Sequence, residues 1–322
     1  MISLEEKLSN ELKKLNNLLI EKYYSIDKYN RDEKRNLLSK VGNYINIKSL
    51  KVDELKEIKD LGGVIAVDGS TNKFGGAFPH YVQMFKAVAS FGLKENENIE
   101  IADLYCPLIE EGNIYEEKKI IDKKLAEIEL KAAIEAIKNN PKIIIMDGSL
   151  IRYRILAENL WVKLKDLVIK NNIILIGVVE DIKTSVIYDN IYNINHENNT
   201  SETIYDREFI FDALDSLEAL YLNKQKKGKD SFGFRSTFFR SSQAPSAIAV
   251  DILEEQEQYL EFCLSLLASI TDVNSRGVPF ILDIADVQAR ITNDLTKQLI
   301  KTYINVEFYE KLFNAQRFKR SF

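Results

Sequence analysis

The chain has 322 residues, 45% of them hydrophobic, enough to bury a sizeable core as one large domain or as a core with a helical appendage. Its 44 Lys and Arg against 49 Asp and Glu give a formal net charge of -5, which excludes a protein that coats nucleic acid through a global positive field. It does not exclude a nuclease, whose site gathers carboxylates around metal. Cys106 and Cys263 are too few for a disulfide framework or a cysteine-based zinc site, and no apolar run reaches the length of a membrane span, so the expected location is the cytoplasm.

Residues 1–60 are mostly helical in pattern and rich in charge, with an interruption at "VGNYINIKSL". They read as an N-terminal helical region for dimer or partner contact, ahead of a main domain at 61–322. From Gly62 the character changes. "GGVIAVD", "FPHYVQMFKAVASFG" and "ENIEIADLYCPLI" are strand candidates, and residues 115–139 form a helix pattern dominated by Ala, Leu, Glu and Lys. "KIIIMD" follows as a buried strand, "IRYRILAENLWVKLKDLVIKNN" as a helix and "IILIGVVED" as a strand. Strands leading into alternating units imply an α/β fold, a mixed β-sheet flanked by helices.

Further on, "DREFIFDALDSLEALYLNKQKKGK" reads as a helix ending in a basic loop, "SFGFRSTFFR" and "PSAIAVDIL" as strands, and "EEQEQYLEFCLSLLASITD" as a helix. "ILDIADVQARITNDLTKQLIKTYI" reads as one long amphipathic helix. No phosphate-binding P-loop, Gly-x-Gly-x-x-Gly or His-Glu-x-x-His motif occurs.

An apolar strand runs into Asp-Gly-Ser twice, in "GGVIAVDGSTNKFGG" and "PKIIIMDGSLIRYR". Asp-Gly is a common turn signal, so each is expected to end its strand in a bend, with Gly69 and Ser70 shaping the first. Asp68 and Asp147 would then stand at the carboxyl ends of central strands, where polar groups converge on an open site. Neighbouring carboxylates repel, and a hard divalent cation, Mn²⁺ or Mg²⁺, one or two ions, relieves that repulsion. The preceding helix offers Glu127, Glu129 and Glu135, which spacing does not separate. The last helix places Asp283 and Asp286 three residues apart, a position that the helix dipole alone explains for one of them. Asp68, a helix glutamate, Asp147 and Asp286 would form a two-metal constellation suited to phosphodiester hydrolysis, with an RNase or phosphatase on the same acidic site, or a non-catalytic scaffold or regulatory subunit, as the alternatives.

Basic residues mark where nucleic acid would run. Lys226 and Lys227 lie in "NKQKKGK", and Arg235 and Arg240 alternate with phenylalanines in "FGFRSTFFR". Lys183 follows the "GVVED" strand, and Arg152 and Arg154 follow the second Asp-Gly-Ser, close enough to contact substrate or to pair with the acidic cluster.

Four features in order, "IAVDGS" after a helical lead-in, a Glu-bearing helix, "IIIMDGSL", and a Pro-Phe-x-Leu segment running into "IADVQARI", resemble the NurA family of DNA-end-processing nucleases. The resemblance spans roughly residues 61–292. It implies an RNase H-like core, a homodimer, and Mn²⁺-dependent single-strand endonuclease and 5′-to-3′ exonuclease activity on DNA. It also implies work beside a HerA-type hexameric translocase in double-strand break repair. By motif, Asp68 and Asp147 match the metal-binding aspartates, Glu129 matches the helix ligand with Glu127 as the alternative, and Lys183 falls near the family's basic position. Asp286 stands where several members have His, and Val278-Pro279 where they have Tyr-Pro, so a proton-transfer role for that histidine has no counterpart here.

Overall fold

The structure, a computed structural model, describes residues 4–92, 97–110, 114–192, 204–224 and 228–314. Its N-terminal segment runs through α1 (Leu4–Asp27), α2 (Arg31–Leu38), β1 (Gly42–Asn46) and α3 (Val52–Asp60). Then follow β2 (Val64–Gly75), β3 (Tyr81–Gly92), β4 (Ile99–Tyr105), α4 (Glu117–Ala136), β5 (Ile143–Asp147), α5 (Leu150–Leu156), α6 (Glu158–Lys170) and β6 (Ile174–Val179). The rest comprises α7 (Val186–Tyr192), α8 (Asp206–Ile210), β7 (Glu218–Leu222), β8 (Phe234–Arg240), β9 (Ile248–Leu253), α9 (Leu260–Ser269), α10 (Phe280–Ala289) and α11 (Asn293–Tyr303).

All these strands join one sheet in the order β1-β7-β8-β9-β6-β5-β2-β3-β4. Within it, β2, β3 and β4 pair antiparallel, while β5 lies parallel to β2 and β6 parallel to β5. That order and sense, with α4 crossing over between β4 and β5, is the RNase H-like arrangement, here extended by four antiparallel strands beyond β6. The apolar run Ile143–Met146 suits β5 to the middle of the sheet, where helices cover both faces.

Strand alternation divides the core. Ile65, Val67, Ile144 and Met146 face α4, α5 and α6, whereas Val64, Ala66, Ile143 and Ile145 face α9 and α10. The apolar stripe of α4, including Ile128, Leu130 and Ala133, is fully buried against the first of these faces.

Several elements depart from the sequence reading. The first Asp-Gly-Ser does not end its strand: β2 continues through Asp68, Gly69 and Ser70 to Gly75, because β3 pairs with it along the whole length from Val64↔Gly92 to Gly75↔Tyr81. The interruption in the N-terminal region is β1, an edge strand paired with β7, and "EALYL" is β7 itself rather than part of a helix. Non-helical Ala157 divides the helix after β5 into α5 and α6. The long terminal helix is broken at Arg290, whose backbone is extended, and Thr292 caps α11 by accepting a hydrogen bond from Leu295 N. Tertiary bonds account for this break. Ser70 Oγ donates to Ala289 O at 2.5 Å and Asn72 Nδ2 donates to Ile291 O at 2.7 Å, so β2 takes up carbonyls that a continuous helix would have used.

One buried carboxylate fixes the turn after β5. Asp251 of β9 is wholly buried and accepts from Ser149 Oγ at 2.6 Å, Leu150 N at 3.2 Å, Ser236 Oγ at 2.7 Å and Lys229 Nζ at 2.7 Å. Replacing it by Asn keeps the shape but strands a mostly buried ammonium. Asp251→Asn is expected to lower the free energy of unfolding by about 3 kcal/mol, measured by urea denaturation.

Candidate active site

The parallel register of β2 and β5 pairs Val67 with Met146, so Asp68 and Asp147 occupy the next position on each strand. Neighbouring strands lie about 4.8 Å apart, and alternation turns both carboxylates toward the α10 face. Asp68 is 9% exposed. Burial, and then the charge of Asp147, push its carboxyl up to about 7, although Gly69 N donates to Oδ1 at 2.7 Å. Asp147 is pushed up to about 6, by burial first and by the charge of Glu180 second.

Glu129 reaches the same level of the sheet from α4 on the opposite face. Gly69 makes this possible: a Cβ there would lie 2.8 Å from Glu129 Cγ and Oε1 and 2.9 Å from Leu125 Cδ1. The side chain of Glu129 is 3% exposed and accepts from Arg152 Nη1 at 2.9 Å. Burial outweighs that arginine and pushes the carboxyl up to about 7. Glu127 points elsewhere, toward Lys123 at 3.8 Å, so the structure separates two residues that spacing did not.

The second Asp-Gly-Ser is a true turn. Gly148, at φ +112, swings the chain away from β5 while its N–H donates to Val178 O at 2.7 Å. Ser149 then starts α5, which carries Arg152 and the buried Tyr153, whose hydroxyl donates to Asp147 O at 3.0 Å.

A cleft of about 240 Å³ opens beside Asp147, lined by Val178, Glu180, Arg276, Val278, Leu282, Asp283 and Asp286. Asp286 is exposed and paired with Arg290 at 3.1 Å, and its charge acts on both Asp68 and Asp147. Glu180 and Arg276 escaped the sequence reading. Glu180 ends the "GVVE" run, and the rule that picked out Asp68 and Asp147 as residues at central strand ends applies to it equally. Arg276 carries no such signal.

The other predicted basic residues are dispersed. Lys183 is exposed on a segment pinned by Asp206, which accepts from Thr184 Oγ1, Val186 N and Ile187 N. Arg154 donates to Phe232 O at 2.6 Å and lies over the Phe232 ring. Arg235 does not face solvent: it is 4% exposed and bound to Asp230, Glu257, Tyr221 and Leu222 O. Arg240 is likewise enclosed, donating to the carbonyls of Leu214, Gln243 and Ala244. Both arginines bind their own chain instead of presenting a surface for nucleic acid, because β8 lies inside the sheet. Lys226 and Lys227 lie outside the described residues.

Asp68, Asp147, Glu129, Glu180 and Asp286 are all oxygen donors of the kind a hard divalent cation takes. The cradle that Gly69 leaves for Glu129 fits such a centre. Among the described residues, no three His, Cys, Asp or Glu side chains are drawn together closely enough to hold a metal ion as they stand, and arginines pair with Glu129, Glu180 and Asp286.

Asp68 gives the centre a pH dependence. Its folded pKa lies above the unfolded value of 3.8, so its contribution to stability is fully present below that value and lost as the pH rises through about 7. In metal-free buffer at pH 8, Asp68→Asn is expected to be more stable than the wild type by roughly 2–4 kcal/mol, with the gap closing toward pH 4. Chemical denaturation across that range checks it, and equal stabilities at pH 8 would contradict it.

Among solved structures the chain is similar to endonuclease V from Bacillus subtilis, at 12% identity over 84% of this chain and 92% of that one, with a TM-score of 0.40. It is also similar to the catalytic domain of human endonuclease V, at 10% identity over 84% and 95%, TM-score 0.37. A Kluyveromyces polysporus Argonaute with a guide RNA gives 14% identity over 75% and 28%, TM-score 0.36. Likenesses this distant carry no weight here. No curated protein matches the sequence. No helix among the described residues is long and apolar enough to cross a membrane. The model of the NurA domain matches residues 62–291, most of the chain, and the protein belongs to the NurA family.

Proposed function

We propose that this protein is a Mn²⁺- or Mg²⁺-dependent deoxyribonuclease of DNA end processing, with single-strand endonuclease and 5′-to-3′ exonuclease activity. The observation that carries the reading is the placement of Asp68 and Asp147 side by side on parallel central strands, with Glu129 brought to the same level of the sheet across Gly69. Asp68, Asp147 and Glu129 would hold the principal cation, and Asp286 with Asp147 would hold a second. When bound, such a cation supplies Lewis acidity for attack of water on a phosphodiester and offsets the charge that develops there.

The chain's own residues prepare that chemistry. Tyr153 anchors the backbone carbonyl of Asp147, and Ser70 ties the end of α10 to β2, which fixes the helix that bears Asp286. Lys183 and Arg152 are the basic residues that would steady the scissile phosphate. The exposed leucines of α1, Leu8, Leu12, Leu15 and Leu19, support contact with a second copy in a homodimer or with a HerA-type hexameric translocase.

Turnover of end-labelled single-stranded DNA, duplex DNA, RNA and a phosphomonoester with Mn²⁺ tests the reading. Single-stranded DNA is expected to be cut, and Asp68→Asn and Asp147→Asn each to lose at least about a hundredfold in rate while remaining folded. Full activity in both variants would overturn it, and RNA or the phosphomonoester as the better substrate would redirect it to the alternative chemistry.

A further inference from the structure

The cleft beside Asp147 is walled by carboxylates, and a phosphodiester backbone entering it meets repulsion from Asp147, Glu180, Asp283 and Asp286. The basic residue lining it is Arg276. Its Nε lies 2.8 Å from Glu180 Oε1 and its Nη2 2.6 Å from Asp283 Oδ1, which sets the plane of the guanidinium from two sides. A guanidinium has five N–H donors in a fixed fork. Those two ion pairs use two of them, and the side chain is 56% exposed, so solvent reaches the guanidinium.

The backbone beneath Arg276 is held as well. Gly277, at φ +94, makes the turn, and Ser241 Oγ donates to its carbonyl at 2.5 Å. Pro279 then leads directly into α10. Arg276 therefore stands on a fixed turn at the start of the helix that carries Asp286 and brings its charge to the lining of the cleft.

We propose that Arg276 is a phosphate-binding residue of this site, its free guanidinium edge taking a non-bridging oxygen of the nucleic-acid backbone while Glu180 and Asp283 hold its orientation. This rests on the nuclease reading above and assigns that site a substrate contact. Arginine suits the task because a planar fork can donate twice to one phosphate. Lysine in its place keeps the charge but loses the fork.

Fluorescence anisotropy of a labelled oligothymidylate in EDTA, repeated over a series of salt concentrations, tests the assignment on the full chain. Arg276→Gln is expected to weaken binding about tenfold and to reduce the slope of log affinity against log salt by about one. Arg276→Lys is expected to keep the slope while losing part of the affinity. Arg31→Gln, whose arginine pairs with Asp215 on a remote surface, is the control and should match the wild type.

An Arg276→Gln protein with wild-type affinity and slope would overturn the proposal. So would a Lys variant as defective in slope as the Gln variant, because that pattern marks loss of local structure. Absence of DNA binding and cleavage by the wild type would instead sink the nuclease reading itself, which keeps the two failures distinct.

Discussion

Two aspartates at one level of a parallel strand pair are the constraint on which the rest of the site depends. The register of β2 on β5 leaves Asp68 and Asp147 no choice of face, and the helices on that face keep Asp68 from water. Like charges held so are costly, and burial raises each carboxyl before any neighbour is counted. The surrounding elements are arranged around that cost. Arginines from α5 and from the turn before α10 approach the acidic groups, and the second face of the sheet contributes Glu129 through the space left by a glycine.

The repeated Asp-Gly-Ser shows how one tripeptide serves two backbones. In β2 it stays extended: Asp68 faces the site, Gly69 admits Glu129 from below, and Ser70 captures the last carbonyl of α10. After β5 it bends: Asp147 faces the site, Gly148 adopts a positive φ, and Ser149 locks to Asp251 as α5 begins. Alternation explains the first set, because residues 68 and 70 share a face and 69 takes the other. The aspartates are the common element, and the glycines solve different steric problems.

The strands and helices around these motifs were legible in the sequence because their apolar periods are strong, as in Ile143–Met146 and along α4. The error at the first motif has a physical origin. Asp-Gly signals a turn only when no partner strand continues beside it, and here β3 pairs through Gly75. The same kind of tertiary override turned "EALYL" into β7 and broke the final helix where β2 claimed its carbonyls. Among the acidic candidates, Asp147 was legible from the end of its strand, whereas Asp68 was picked out by the same rule although β2 runs on past it, and Asp286 by its spacing from Asp283 although it lies in the second half of α10. Glu129 could be separated from Glu127 only by knowing which turn of α4 lies under Gly69. Arg235 misled for the opposite reason: an arginine among phenylalanines resembles a binding stripe, whereas its fork is spent on Asp230, Glu257 and a carbonyl in the core.

Charge balance in the centre sets how it can be occupied. Asp68, Glu129, Asp147, Glu180, Asp283 and Asp286 would carry six negative charges if all were ionised, against three from Arg152, Arg276 and Arg290. Burial first, and the excess of negative charge after it, raise the carboxyls of Asp68, Glu129 and Asp147 toward the protonated form. A cation taken up as proposed would release those protons, so proton and cation would compete for the same carboxylates. Under the proposed function, affinity for a divalent cation would rise as the pH climbs through 6–7, in the same interval in which the fold loses the stability that protonation conferred. The burial that makes these carboxylates a burden to the fold is the same property that would suit them to a cation under the proposed function.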